Sequence, residues 1–330
     1  MSMKTALTAP LTALALVLSV PAAAQSLPGE KPADVTAIAG VVAAGAKWQI
    51  AWSGPMTADG MTTLPDGDLL FAQEQSNAVW RLAADGRAFA EVPYVLGAGA
   101  ASVDPQGRVL AVERACTDPG LNKLECSQPS RVMQLTPERR VIAEKFADGA
   151  SLGRLNDLVA DGRGGAWFTQ GDLYHAAADG TVTKVADVAS FTNGVATSAD
   201  GRLLYTTHGK DILAFDVGAD GTATNQRTFA TVGDTAGFGA DGLKVDAAGR
   251  VYAAGDAGIW VFDKAGKQLG LIPVPRRAIT LAFAGPDRRT LYVGAMGAVT
   301  PQGKDWQTPQ GVRNVAMTVY KLPMLASGAN

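Results

Sequence analysis

Histidine, cysteine and net charge are all scarce in this chain, and each scarcity closes off a class of function. Only two of the 330 residues are histidine, His175 and His208, too few for a His-rich zinc centre. Only two are cysteine, Cys116 and Cys126, and neither has a histidine nearby in sequence to lower its pKa, so no catalytic thiol is expected. Lys and Arg (29) nearly balance Asp and Glu (31), for a formal net charge of -2. That leaves no basic footprint for nucleic acid and no pull toward anionic lipid, and the partner expected is a small molecule that needs no electrostatic steering. Beyond the N-terminus no apolar run reaches the ~20 residues of a membrane helix, and no stretch shows helical period. What remains is 47% hydrophobic and 18% charged, ample material for a core.

The first residues read as a targeting segment. Lys4 gives a positive start, Ala6 to Val20 an apolar run, and Ala22-Ala23-Ala24 a small-residue cleavage site before Gln25. The expectation is a signal peptide over 1–24 and a periplasmic or secreted protein, with an uncleaved anchor as the other reading. Residues 25–46 read as an N-terminal arm and 47–330 as a single domain. In an oxidising compartment Cys116 and Cys126 are expected to form a disulfide that staples the turn-rich loop between them.

Four short polar stretches repeat. Asp59-Gly60, Asn156-Asp157, Asn193-Gly194 and Asp241-Gly242 each begin eight residues before a turn glycine: Gly67, Gly164, Gly201 and Gly249. The strand after each turn keeps register as well, with Leu70, Trp167, Leu204 and Tyr252 each 11 residues beyond the leading polar residue. Six such units can be read, each a polar turn followed by a short apolar strand and a further hairpin. Repeats of this length with four strands each predict an all-β, six-bladed β-propeller of four-stranded blades. A β-sandwich is the alternative, but it gives no reason for a polar residue at fixed offset. The last unit lacks one strand, so an N-terminal strand near Lys47 to Trp52 is expected to close the ring.

In a propeller the innermost strands line a central channel, so Asp59, Asn156, Asn193 and Asp241 are expected on one ring, with Gly99 and Thr280 from the other two blades. Two carboxylates and two amide oxygens, with no Lys among them, would repel unless a cation sat between them. Hard oxygen donors suit Ca²⁺ first, with Mg²⁺, Mn²⁺ or Zn²⁺ as the other candidates. The plainer reading is that Asp-Gly and Asn-Gly merely supply turn chemistry.

Arg154-Leu155-Asn156-Asp157, Asn193-Gly194, Ala240-Asp241-Gly242-Leu243-Lys244-Val245-Asp246 and Ala282-Phe283-Ala284-Gly285-Pro286-Asp287 with Thr290-Leu291-Tyr292 together resemble the gluconolactonase and regucalcin (senescence marker protein) family. The resemblance runs from about Asp59 to about Val293. It implies a six-bladed propeller that holds one divalent cation in its channel and hydrolyses lactones. By position it implies Asn193 and Asp241 as metal ligands, with Asp59 where the family usually has Glu. Asn156 matches a residue that touches either metal or substrate, and Arg154 a substrate-binding arginine.

The expected chemistry is cation-assisted ester hydrolysis with Asp241 as general base. Glu113 and His208, at the ends of second strands, are expected at the mouth as substrate contacts beside Arg154 and Asn156. Gly149-Ala150-Ser151-Leu152-Gly153 fits a serine-hydrolase pattern, but it lies in a loop before an all-β unit and lacks the strand-to-helix elbow that motif needs. The rival reading is a non-catalytic propeller that binds a small ligand or a protein with a structural Ca²⁺. Arg154 beside Asn156 favours the enzyme, since a structural ion needs no such pair. Oligomeric state is left open.

Overall fold

The computed structural model describes residues 28–117, 125–126, 128–186, 188, 192–233, 239–306 and 315–329. Six four-stranded antiparallel sheets stand around a common channel. The first is built from Asp59–Thr63, Leu69–Gln73, Ala78–Leu82 and Ala88–Pro93, innermost strand first. The innermost strands of the next four are Ala98–Val103, Leu158–Ala160, Thr192–Thr197 and Leu243–Val245. The sixth blade runs Ala278–Ala284, Thr290–Met296 and Met317–Pro323, and Gln49–Gly54 adds its outermost strand. The expected closure is therefore present, with Gln49 opposite Lys321 and Gly54 opposite Met317. Joining the two ends of the chain in one sheet leaves no blade-sized gap in the ring.

The repeated turn glycines close the hairpin between first and second strands on one face of the disc. At three of these hairpins an aspartate does the stapling. Asp104 Oδ1 accepts from the N–H of Gln106 and of Arg108, both at 2.9 Å, and Asp246 Oδ1 accepts from Ala248 and Arg250, also at 2.9 Å. Asp161 Oδ1 does the same for Arg163 and Gly165. These are side chains standing in for backbone turn acceptors.

The core is distributed in the same way. Six apolar clusters each fill one junction between neighbouring blades, for example Leu110, Val132 and Phe168 between the second and third, and Tyr205, Leu243 and Phe262 between the fourth and fifth. The arm joins one of them. Val41 and Val42 are fully buried against Ile259, Ile272 and Leu322, and Val41 O accepts from the N–H groups of Leu325 and Ala326. The segment expected to be cleaved, 1–24, lies outside the described residues, which begin at 28. Cys116 and Cys126 face each other in register in a two-stranded ribbon, while their side chains lie outside the described residues.

Candidate metal centre

Every ring residue sits where the innermost strand begins, and there the ladder slips. Register shifts fall between Asp59 and Thr62, Ala98 and Ala100, Thr192 and Val195, and Ala278 and Thr280. In the fifth blade Asp241 N–H donates to Ala254 O while Ala254 N–H donates to Gly242 O, two residues against one. A bulge turns a strand side chain out of the alternating pattern, here toward the channel axis.

The glycines that follow are present for close approach. A Cβ on Gly60 would lie 2.1 Å from Ala100 Cα, and one on Gly194 would lie 2.3 Å from Asp241 O. Each innermost strand thus presses its glycine onto the backbone of the next, which tightens the ring. The third blade has Asp157 at that step, and its carboxylate instead accepts from Val195 N–H at 3.2 Å and from its neighbour Leu158 at 2.8 Å.

Asp59 and Asp241 line this narrow passage. Some surface on each is left to water, yet protein surrounds both. Asp59 Oδ1 has one donor, the N–H of Gly60 at 2.8 Å; among the described residues the Asp241 carboxylate accepts no hydrogen bond. Burial pushes the Asp59 carboxyl up from 3.8 to about 6, against the pull of Arg114. Burial, and after it the charge of Asp59, raises Asp241 well above the usual carboxylate range, although Arg277 opposes it. Among the described residues no three His, Cys, Asp or Glu side chains gather as a ligand set. What the ring offers an ion is two carboxylates with the neighbouring amide oxygens. Two under-neutralised carboxylates in one tight ring are what a divalent-cation site looks like from its protein side, so the residues fit such an ion.

The two ring amides are hydrogen-bonded to each other. Asn156 Oδ1 accepts from Arg114 Nη2 at 3.1 Å, and Asn156 Nδ2 donates to Asn193 Oδ1 at 2.7 Å. Guanidinium has no acceptor, so the Asn156 atom facing it must be the oxygen. That oxygen is thus engaged by a positive group, and Asn156 also reaches Asn193 across the ring. Thr280 turns its hydroxyl to the N–H of Met61 at 3.3 Å and stays out of the donor set.

Two residues absent from the sequence reading organise this side of the ring. Glu74, 3% exposed, sits just beyond Leu69–Gln73. It takes Arg114 Nη1 at 2.7 Å and Arg154 Nη2 at 2.9 and 3.1 Å. Arg114 enters through the gap at Gly99, where a Cβ would lie 2.3 Å from its Nε. A glycine at ring level was the available signal, because a gap in a ring must be filled by something.

Glu113 does not reach the mouth. It is buried, accepts from Leu96 N–H at 2.9 Å and lies 3.7 Å from Arg131, so its role is structural. His208 ends its strand on the ring face, opposite Thr192, and its Nε2 is buried without a hydrogen-bond partner. Gln170 Oε1, at the matching place one blade earlier, is unpartnered too. The Gln170 amide lies against Gly153, where a Cβ would meet its Nε2 at 2.3 Å. His175 belongs to the opposite face, where its Nε2 is 2.9 Å from Asp161 Oδ2.

A cavity of about 710 Å³ opens at that opposite end of the channel, lined by Thr63, Ser102, Ser198 and Lys244 among others. Three of its hydroxyls are engaged within the protein: Thr63 donates to Phe283 O, Ser102 accepts from Ala160 N–H and Ser198 binds Asp200. At the ring, by contrast, Gln170 Oε1 and His208 Nε2 are buried without a partner.

The family model described as the SMP-30/gluconolactonase/LRE-like region matches residues 115–297. The chain belongs to this family. Among curated relatives of this SMP-30/gluconolactonase chain, regucalcin of Xenopus laevis is 28% identical over 173 residues, 46% of this chain and 56% of the relative. The match therefore spans little more than half of that protein. A gluconolactonase from Xanthomonas campestris superposes with a TM-score of 0.69 at 21% identity, covering 91% of this chain and 96% of the other. A calcium-binding regucalcin from Agrobacterium tumefaciens superposes at 0.61 with 20% identity, covering 84% and 93%. At such identities the two structures establish a shared fold.

Proposed function

We propose that this member of the SMP-30/gluconolactonase family is a metal-dependent lactonase whose resident cation is Ca²⁺. The observation that carries the reading is the pair Asp59 and Asp241, enclosed in one ring and short of compensating donors. The names of its relatives, a gluconolactonase and a calcium-binding regucalcin, support the same chemistry.

Asp59, Asn193 and Asp241 would hold the ion. When bound, a divalent cation supplies Lewis-acid polarisation of the ester carbonyl and stabilises the oxyanion that develops on it. The chain supplies the rest. Asp241 takes a proton from water as its oxygen bonds to the carbonyl carbon; the ring C–O bond then breaks and the proton passes to the departing alkoxide, giving a hydroxy acid. Arg154, held by Glu74, orients the substrate together with Gln170 Oε1 and His208 Nε2, two buried polar atoms without partners that are places for a ligand's hydroxyls. Asn156 acts as a bracket for Asn193. We also carry forward residues 1–24 as a signal peptide with a periplasmic or secreted product, and a Cys116–Cys126 bridge. N-terminal sequencing and mass spectrometry of the exported chain test both.

The functional test is proton release from a panel of sugar and simple lactones by the purified chain and by Asp241→Asn. We expect turnover of at least one lactone and a loss of about 10²-fold or more in kcat in the variant, in the range for a general base. No hydrolysis of any lactone or aryl ester by the wild-type chain would sink the enzyme reading.

A further inference from the structure

The orientation of the two ring amides is dictated from outside the ring. Arg114 follows the second strand of the second blade, Val109–Glu113, and its guanidinium meets acceptors from both neighbouring blades. Nη1 reaches Glu74 of the first blade at 2.7 Å. Nε reaches Leu155 O at 2.9 Å, and Nη2 reaches Asn156 O and Oδ1, both at 3.1 Å, ahead of the third blade's innermost strand. Its side chain is 7% exposed and that of Glu74 4%.

Burying an ion pair this deeply costs desolvation that a pair of apolar side chains would avoid, so stability alone does not account for it. The fork geometry does. One planar group with donors in fixed directions grips three backbone or amide oxygens and a carboxylate at once, which an ammonium cannot imitate. Because the atom facing Arg114 must be Asn156 Oδ1, Nδ2 must point to Asn193; because Nδ2 can only donate, Asn193 must answer with its oxygen. An isolated asparagine could present either end to the channel.

We infer that Arg114, admitted by Gly99 and anchored by Glu74, is a positioning residue that fixes Asn156 and through it turns the Asn193 oxygen into the ring as a cation donor. This rests on the reading of the ring as a cation site. Arg114 touches neither substrate nor ion in this role.

Two variants isolate it. Arg114→Lys keeps the charge and removes the fork. Gly99→Ala keeps the arginine and fills the gap it passes through. The first readout needs no cation: side-chain amide NMR of the ¹⁵N-labelled, chelated chain, with the Asn156 and Asn193 signals assigned by substitution. Both signals should be dispersed and slow to exchange in the wild type, and should move to solvent-averaged positions in both variants. The second readout is Ca²⁺ titration calorimetry, where we expect affinity to fall about tenfold or more in each variant. Circular dichroism and melting report whether each variant is folded, and either one suffices.

Unchanged amide signals in a folded variant would overturn the inference, as would wild-type Ca²⁺ affinity in a variant whose amides have lost their order. If the wild-type chain binds no Ca²⁺, the cation reading fails by itself, and the amide spectra still decide whether Arg114 orients the pair.

Discussion

The two faces of the propeller set aspartates from the same repeat in opposite circumstances. On the hairpin face Asp246 is fully buried, yet its carboxylate receives two backbone N–H groups, Arg250 Nε at 2.6 Å and Tyr252 Oη at 2.9 Å. Asp161, on that face too, is pushed up by burial, but His175 and two N–H groups outweigh it and hold its carboxyl below the ordinary value. On the ring face Asp59 and Asp241 are worse supplied, and burial raises their carboxyls. Burial works against the charge in both sets; what differs is how much donation is set against it. Hairpin aspartates close a turn and are complete within the chain, whereas on the proposed reading Asp59 and Asp241 are completed by a bound cation.

The comparison can be broken most directly by exchanging which aspartate is lost. Asp246→Ala leaves the buried Tyr252 hydroxyl and two turn N–H groups without their acceptor and should cost about 3 kcal/mol, with activity per folded molecule unchanged. Asp241→Ala should leave melting of the chelated chain unchanged or raised, because it removes a like charge from beside Asp59, while hydrolysis is lost. Denaturant unfolding with parallel activity assays checks both. Equal destabilisation by the two substitutions would erase the distinction.

A smaller effect concerns pH. The Asp59 carboxyl is raised to about 6 from 3.8 in the folded chain, and Asp241 is raised in the same direction. Between those values the folded chain holds protons that the unfolded chain has released, so this contribution to stability is present below about pH 4 and is lost as pH rises through about 6. The chelated protein should melt at a lower temperature at pH 7 than at pH 5, and saturating Ca²⁺ should remove that slope by holding both carboxylates ionised. Melting curves at the two pH values, with chelator and with Ca²⁺, read the outcome. Smallest is His208→Ala, expected to raise KM a few-fold with kcat nearly constant, the loss of one substrate hydrogen bond of about 0.5–1.5 kcal/mol.

Sequence periodicity made the fold legible because each blade restates its turn at a fixed offset. Gly67, Gly164, Gly201 and Gly249 mark the hairpins, and counting back eight residues lands on the ring. Asp59, Asn193 and Asp241 were visible for that reason. Glu74 and Arg114 were not, because they leave from the ends of second strands, where no repeat constrains spacing or direction. Glu113 shows the same limit from the other side: the strand end was readable, but not that its carboxylate turns inward to Leu96 N–H. Asn156 was placed at the correct level, and only the adjacent guanidinium reveals which end of its amide faces which neighbour.

The most direct test of the central claim is lactone hydrolysis by the purified chain before and after chelation, with Ca²⁺, Mg²⁺, Mn²⁺ and Zn²⁺ restored one at a time. The account predicts turnover that disappears with chelator and returns with Ca²⁺. Full activity in the chelated protein, or a melting temperature that falls on chelation with no lactone ever hydrolysed, would contradict it.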